Sequence, residues 1–298
     1  MRRIAKQLIE RAVLAGAATR PARRSGDRLI LAFHNVVPDG ASGVGDASLH
    51  LPLSSFRSHL DTLARYCEVV RLDDLLSLSP DPHRPRVAIT FDDAYRGAVA
   101  LGVPEVVRAG MPATIFVAPG MLGAGPPWWD RLAVMTDWTA QTRERAISEC
   151  RGDLDLIRAT FGLDRRAVAL PEALHIATEL ELMAAASDPA VALGSHTWSH
   201  RNVTTLDAGE LQAEYARPLE WLRERFETIA PWIAYPYGRY SPAAAAAAAA
   251  AGYTIGLRVD GGWLPARIAD KLALPRFNVP AGISAAGFEL RIRGIVAA

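Results

Sequence analysis

Short apolar runs that stop abruptly on polar residues recur along this chain, each followed by a helical pattern. RLILAF at residues 28–33 runs into His34, and VAITF at residues 87–91 runs into Asp92-Asp93. ATIFV at residues 113–117 is ended by Pro119-Gly120, and VALG at residues 191–194 leads to His196 and His200. Two further runs lie within residues 229–235 and 253–257. Runs this short and this apolar read as strands buried on both faces. Strand alternating with helix is the pattern of a parallel sheet. The expected fold is therefore α/β, a barrel or doubly wound sheet of at least six strands.

The helical signals between the runs are of several kinds. Ser54 reads as an N-cap, with Phe56, Leu60 and Leu63 on one stripe. Residues 94–110 suit a helix ended by Gly110. Asp207 and Glu210 form a capping box for a helix carrying Leu211, Tyr215, Leu219 and Leu222, which Pro218 should kink. Ser241-Pro242 followed by nine alanines starts another. Residues 128–190 break the rhythm with a charged, mostly helical stretch, read as an insertion over one face. The chain has 298 residues, half of them hydrophobic, enough for one large α/β domain or two small ones. We divide it into a basic helix and linker, residues 1–26, and one main domain, residues 27–298.

Lys plus Arg number 33 against 32 Asp plus Glu, which excludes a chain-wide basic footprint for nucleic acid. Cys67 and Cys150 have no cysteine partners at metal spacing and read as reduced, buried, small hydrophobes. Glu10 and Arg11 interrupt the apolar run a secretory signal needs, and no later run reaches the roughly 18 apolar residues of a spanning helix. Ile4, Leu8, Ile9, Val13 and Leu14 fall near helical spacing among Arg2, Arg3, Lys6 and Arg11. This reads as a surface helix packed on the domain. The sharper alternative is peripheral contact of residues 1–20 with an anionic membrane. Residues 20–27 are a basic, Pro/Gly-containing linker. The expected location is cytoplasmic.

In a parallel α/β fold the carboxyl ends of the strands face one crevice, so His34, Asp92, Asp93, His196, His200 and Tyr235-Pro236-Tyr237-Gly238 should converge. His196 and His200, four apart, put two imidazoles on one side of a turn, and with one carboxylate they make a facial metal set. Spacing alone is weak, since seven histidines give roughly 0.16 such pairs by chance. Two adjacent carboxylates at a buried strand end repel unless a cation or base partners them, so one could ligate and the other stay free. The plainer accounts are satisfied histidines at a helix start and an acidic N-cap pair at Ala94.

Thr90-Phe91-Asp92-Asp93, then Gly194-Ser195-His196-Thr197-Trp198-Ser199-His200, then Tyr235-Pro236-Tyr237-Gly238, resembles the NodB-homology polysaccharide deacetylase family, carbohydrate esterase family 4. The likeness runs from about Asp27 to Val279. It implies a distorted (β/α) barrel of about seven strands that hydrolyses N- or O-acetyl groups on sugars. By resemblance, Asp92 is the general base, and Asp93, His196 and His200 hold one divalent metal ion, zinc first, with cobalt, nickel or manganese as alternatives. The substrate implied is an N-acetylated saccharide.

Two departures bear on the acid and the base. Ala234 stands where the family's third motif has Arg, and Leu274-Pro275-Arg276 stands where it has Leu-x-His. Phe33-His34-Asn35-Val36 resembles the subgroup acting on poly-N-acetylglucosamine, so the acid is carried over to His34. We read Arg276 as replacing the missing arginine and orienting Asp92. A backbone N–H near Tyr237 is the candidate oxyanion donor. Trp198, Tyr235 and Trp263 are the substrate-binding candidates, with Asp260 beside Trp263. Trp128, Trp129, Trp232 and Tyr240 could stack on sugar or lie in the core. His50, His59, His83 and His175 read as ordinary surface or satisfied residues. Other functions compatible with these residues are hydrolysis of a non-sugar or cyclic amide, an inactive sugar-binding protein, and a structural metal site.

Overall fold

The computed structural model describes residues 2–16, 27–41, 43–77, 84–163, 168–227 and 229–298. His83 and nearly all of the linker at residues 20–27 lie outside the described residues. The strands are β1 Arg28–Phe33, β2 Asn35–Val37, β3 His50–Pro52, β4 Glu68–Val69, β5 Arg86–Phe91, β6 Ala113–Val117, β7 Val191–Ser195, β8 Trp232–Ala234, β9 Ile255–Leu257 and β10 Phe277–Asn278. The helices are α1 Arg2–Gly16, α2 Leu53–Tyr66, α3 Leu72–Ser77, α4 Val103–Arg108, α5 Trp128–Met135, α6 Ala140–Ser148, α7 Leu154–Phe161, α8 Glu179–Ala186, α9 Ala208–Arg225, α10 Pro242–Ala251 and α11 Ala285–Ile292.

The main sheet runs β10-β1-β5-β6-β7-β8-β9, with β4 also paired to β5, and every pairing is parallel. It curls into the distorted barrel that the motifs imply. The central strands are buried along nearly their whole length, as expected where helices cover one face and the barrel interior the other. The barrel closes thinly. Leu274 bridges Leu257 of β9, and three residues later Phe277 pairs with Leu31 of β1. Arg276 therefore lies on the closing segment.

Register decides where the strand ends fall. Phe33 pairs with Phe91, so His34 and Asp92 leave neighbouring strands at one level. Val117 pairs with Ser195, and Ser195 with Ile233. Asp92 N–H donates to Phe33 O at 2.9 Å and His196 N–H to Val117 O at 2.7 Å, which carries the ladder one residue past each strand. Local sequence and register thus set four loops on one rim.

Several local expectations shift. α2 starts at Leu53 behind Pro52, and Ser54 is not its cap. The Ser54 N–H and hydroxyl both donate to Asp39 Oδ1 instead, at 3.1 and 2.8 Å. The helix expected over residues 94–110 begins later, because Asp93 and Ala94 are both left-handed (φ 69 and 53). Five residues then form a π-helical turn, Ala98–Gly102, before α4. Gly97 precedes that turn because a Cβ there would lie 2.2 Å from Val36 O. The capping box of Asp207 and Glu210 is present, as is the Ser241 cap. α9 continues past Pro218 to Arg225. A parallel crossover needs one helix; between β6 and β7 the described residues form four α-helices, α5 to α8. Cys67 and Cys150 are free and buried.

His59 on α2 is 1 % exposed and stacks on Phe288 of α11 at 4.0 Å between ring centroids. Neither ring nitrogen has a hydrogen-bond partner among the described residues, and burial drives its pKa down to about 3. The unfolded chain protonates this histidine below about pH 6.5 while the folded chain keeps it neutral. Stability therefore falls as pH drops from 6.5 toward 3, by ~2 kcal/mol at pH 5. His59→Leu should flatten that part of the acid dependence, measured as the urea midpoint at pH 5 against pH 8. An unchanged slope would show that His59 is not the cause.

Candidate active site

The rim encloses a cavity of about 300 Å³, lined among others by His34, Asp92, Asp93, Trp129, His196, His200 and Tyr237. His196 and His200 are reached by an unusual backbone. Thr197 and His200 are left-handed (φ 65 and 61), so the chain doubles back between the imidazoles. Both rings then turn inward, 3.2 Å apart at their Nε2 atoms. Glu214 of α9 holds this turn from behind. Its Oε2 accepts from the N–H groups of Trp198 and Ser199 at 3.0 and 2.9 Å, and its Oε1 from the Ser199 hydroxyl.

Asp93 Oδ1 lies 3.0 Å from His200 Nε2 and 3.4 Å from His196 Nε2. The three candidate ligand atoms all lie within 4.8 Å of one another, and all three residues are buried. His196 Nδ1 sits 2.7 Å from the Ala234 carbonyl, which can only accept. The proton is therefore on Nδ1, and the Nε2 lone pair of neutral His196 faces Asp93. Lone pairs crowded at one point repel unless something positive lies among them. One proton can bridge two of them, whereas a divalent cation suits all three, and two imidazoles with one carboxylate are a familiar donor set. The residues fit such an ion.

Asp92 is partnered separately. Arg276, fully buried, donates from Nη1 to Oδ1 and from Nη2 to Oδ2, both at 2.7 Å. Nη1 also reaches Thr90 Oγ1 at 3.1 Å, and Nε reaches Arg258 O at 3.1 Å. The fork is thus locked from three sides. Burial would push the Asp92 carboxyl up, but the Arg276 guanidinium, with His196, outweighs it and holds the pKa below the usual value. Burial opposes the Asp93 carboxylate too, yet His196 and His200 hold it well below the carboxylate range. His34 lines the same cavity, and burial lowers its pKa against the pull of Asp93 and Asp92.

Tyr237 is left-handed (φ 60, ψ 8) and edges against the His200 ring at 4.7 Å, its hydroxyl donating to His200 O at 2.9 Å. The proposed acid, base, metal ligands and Tyr237 all line this cavity, and the base partner Arg276 stands buried behind Asp92. The three substrate-binding candidates do not line the cavity. The left-handed Thr197 turns Trp198 away from it, into a separate depression where Arg217 lies 4.0 Å over its ring. Tyr235 is fully buried, its hydroxyl donating to Leu272 O at 2.9 Å. Trp263 packs on the main apolar core. Trp232 is core and Tyr240 sits beneath Arg258, 5.4 Å from its ring. The aromatics that do line the cavity are Trp128, Trp129, Trp138 and Tyr237.

A buried network behind Trp129 escapes a sequence reading. Asn35 donates to His50 Nδ1 at 3.1 Å, which leaves the proton on Nε2 to donate to Asp130 Oδ1 at 2.9 Å. Asp130 also accepts from the Asp46 N–H at 2.7 Å and the Tyr95 hydroxyl at 2.7 Å. Tyr95 in turn accepts from Trp129 Nε1, and Trp129 lies 4.8 Å from the His200 ring. His50 is satisfied, as expected, but as part of the wall's framework. Its one sequence signal is the acid in Trp128-Trp129-Asp130, legible only once that acid is known to be buried.

Comparison with known proteins decides the family. Residues 79–256 match the sequence profile described as polysaccharide deacetylase. The chain belongs to the polysaccharide deacetylase family. Its family's reaction is hydrolytic deacetylation of carbohydrate. A Bacillus subtilis (strain 168) protein, YxkH, whose name places it among the polysaccharide deacetylases, is 25% identical over 270 residues, 89% of this chain and 76% of that protein. In fold, the chain is similar to the Streptococcus pyogenes deacetylase PplD in complex with acetate, with a TM-score of 0.63 at 17% identity, covering 88% of this chain and 96% of that one. It is likewise similar to IcaB from Ammonifex degensii, with a TM-score of 0.62 at 16% identity, covering 89% and 98%.

Two outcomes follow for this deacetylase-family site. Arg276→Met leaves Asp92 a buried carboxylate without its cation and should cost about 3–5 kcal/mol in urea unfolding; a loss near zero would mean the pair does not hold the barrel seam. Glu214→Ala frees the histidine turn and should weaken zinc binding about 10–100-fold by calorimetry. Wild-type affinity in that variant would remove Glu214 from the support of the turn.

Proposed function

We propose that the chain is a metal-dependent hydrolase that removes N-acetyl groups from an amino-sugar poly- or oligosaccharide. The observation that carries the reading is the division of labour between adjacent carboxylates: Asp93 faces two imidazoles while Asp92 is held from behind by Arg276, with both carboxylates and both imidazoles lining one cavity. A base and a three-residue ion site within one rim suit hydrolysis. A structural ion is normally enclosed by four protein ligands.

An amide resists water because its carbonyl is a poor electrophile and its amine a poor leaving group. Asp93, His196 and His200 would hold one divalent ion, with zinc the best match to two imidazoles and a carboxylate, and cobalt, nickel or manganese also acceptable. When bound, the ion supplies Lewis acidity, polarising the acyl carbonyl and making water easier to deprotonate. Asp92 takes the proton from the attacking water. Arg276 occupies one lone pair on each Asp92 oxygen and fixes the carboxylate plane, which leaves a lone pair on each oxygen for that proton. The backbone N–H of Tyr237, in the rigid turn after Pro236, donates to the developing oxyanion. The proton that Asp92 takes from water is passed to His34, which in its protonated form delivers it to the departing sugar amine, so that water and the amide become acetate and a free amino sugar. The related deacetylase PplD was solved with acetate, the small product this reading requires.

Substitutions separate the roles. Asp92→Asn should lower acetate release from N-acetylglucosamine oligomers by about 10²–10⁴-fold while keeping bound metal, read by elemental analysis. His196→Ala should lose metal and activity together. Full metal occupancy in His196→Ala, or metal loss in Asp92→Asn matching its loss of activity, would sink the assignment.

A further inference from the structure

α1 is packed inside out. At about 100° per residue, Leu8, Ala12, Ile9 and Val13 sweep an arc of roughly 140° on one side, and Glu10, Leu14 and Gln7 fall on the other. An ordinary surface helix would turn the apolar arc to the domain. Here Leu8 is 60 % exposed, Ile9 63 % and Val13 41 %, whereas Glu10 is 9 % exposed. The inward carboxylate is anchored: its Oε2 accepts from the Ser284 hydroxyl at 2.6 Å, just ahead of α11. It lies so close over α11 that a Cβ on Gly287 would come within 2.7 Å of its other oxygen. A fixed polar contact thus holds the apolar side of α1 to solvent.

Charge narrows what could cover that side. Residues 1–26 carry seven basic residues and one acid, a net +6 in a chain whose total is +1, which leaves −5 on the remainder. The single acid is Glu10, turned inward. Lys6 and Arg11 are exposed beside the apolar arc. An apolar strip edged by cations and free of carboxylates matches an anionic bilayer surface, where the aliphatic side chains enter the acyl boundary and the cations meet headgroup phosphates. Pairing with α1 of a second copy would bring like charges together. No helix of the described residues is long and apolar enough to cross a membrane, so the contact is one of lying on the surface.

We propose that α1 is a membrane-surface helix that docks the domain on anionic lipid through Leu8, Ile9 and Val13. The test uses the full chain and vesicles of phosphatidylcholine with about 30% phosphatidylglycerol, read by co-flotation. Wild type should float with these and not with pure phosphatidylcholine. The double variant Leu8→Gln, Ile9→Gln should bind at least about tenfold more weakly, with unchanged acetate release from a soluble substrate. Three results would overturn the proposal. Wild type could ignore anionic vesicles. The variant could float like wild type, leaving only a diffuse attraction of the arginines. Or wild type could ignore vesicles yet sediment as a dimer that the variant dissolves, making the face a contact between copies.

Discussion

Two neighbouring carboxylates, Asp92 and Asp93, are buried at the end of one strand, and the surrounding structure answers the electrostatic problem they create. Side by side and out of water, both cannot stay ionised without separate positive partners. The left-handed backbone at Asp93 and Ala94 sends them in different directions. Asp92 goes to a guanidinium carried on the barrel-closing segment. Asp93 goes to the imidazoles on the doubled-back turn after β7. The seam of the barrel and the chemistry of the cleft therefore share a residue, Arg276, whose removal would disturb both.

Much of this was legible in the sequence because it is encoded locally. Strand ends follow from apolar runs of five or six residues, and parallel pairing places those ends on one rim whatever the helices between them do. Strand ends could bring the imidazoles and the two carboxylates together, and the family resemblance assigned them separate roles. Arg276 was legible through an absence: Ala234 and Pro275-Arg276 depart together from the family's pattern, and the fork fills the vacancy from the barrel-closing segment.

What escaped depends on backbone dihedrals or distant partners. Trp198 stands between the two metal-ligand candidates, yet the left-handed Thr197 sends it into another depression. Apolar periodicity cannot report a single residue with positive φ. Tyr235 looked available and is core, because its hydroxyl finds Leu272 O. Asn35, His50, Asp130 and Tyr95 form one buried network from four separated segments, and nothing near any of them in sequence announces the others. Trp128 and Trp129, from the helical stretch between β6 and β7, line the cavity in place of the aromatics nearer the motifs.

Asp93, Thr197, His200 and Tyr237 are all non-glycine residues in the left-handed region, four of the six such residues among those described. Each such position stores on the order of 1–3 kcal/mol of strain. Among the described residues, left-handed strain is thus concentrated at the cleft, held in shape by what surrounds it. A laboratory evolution that rewarded heat resistance and ignored turnover would tend to relieve these positions with glycine or asparagine. Asp93 and His200 would be among the earliest replaced, and the hardier proteins that emerged would have lost two of the three inward-facing donor groups.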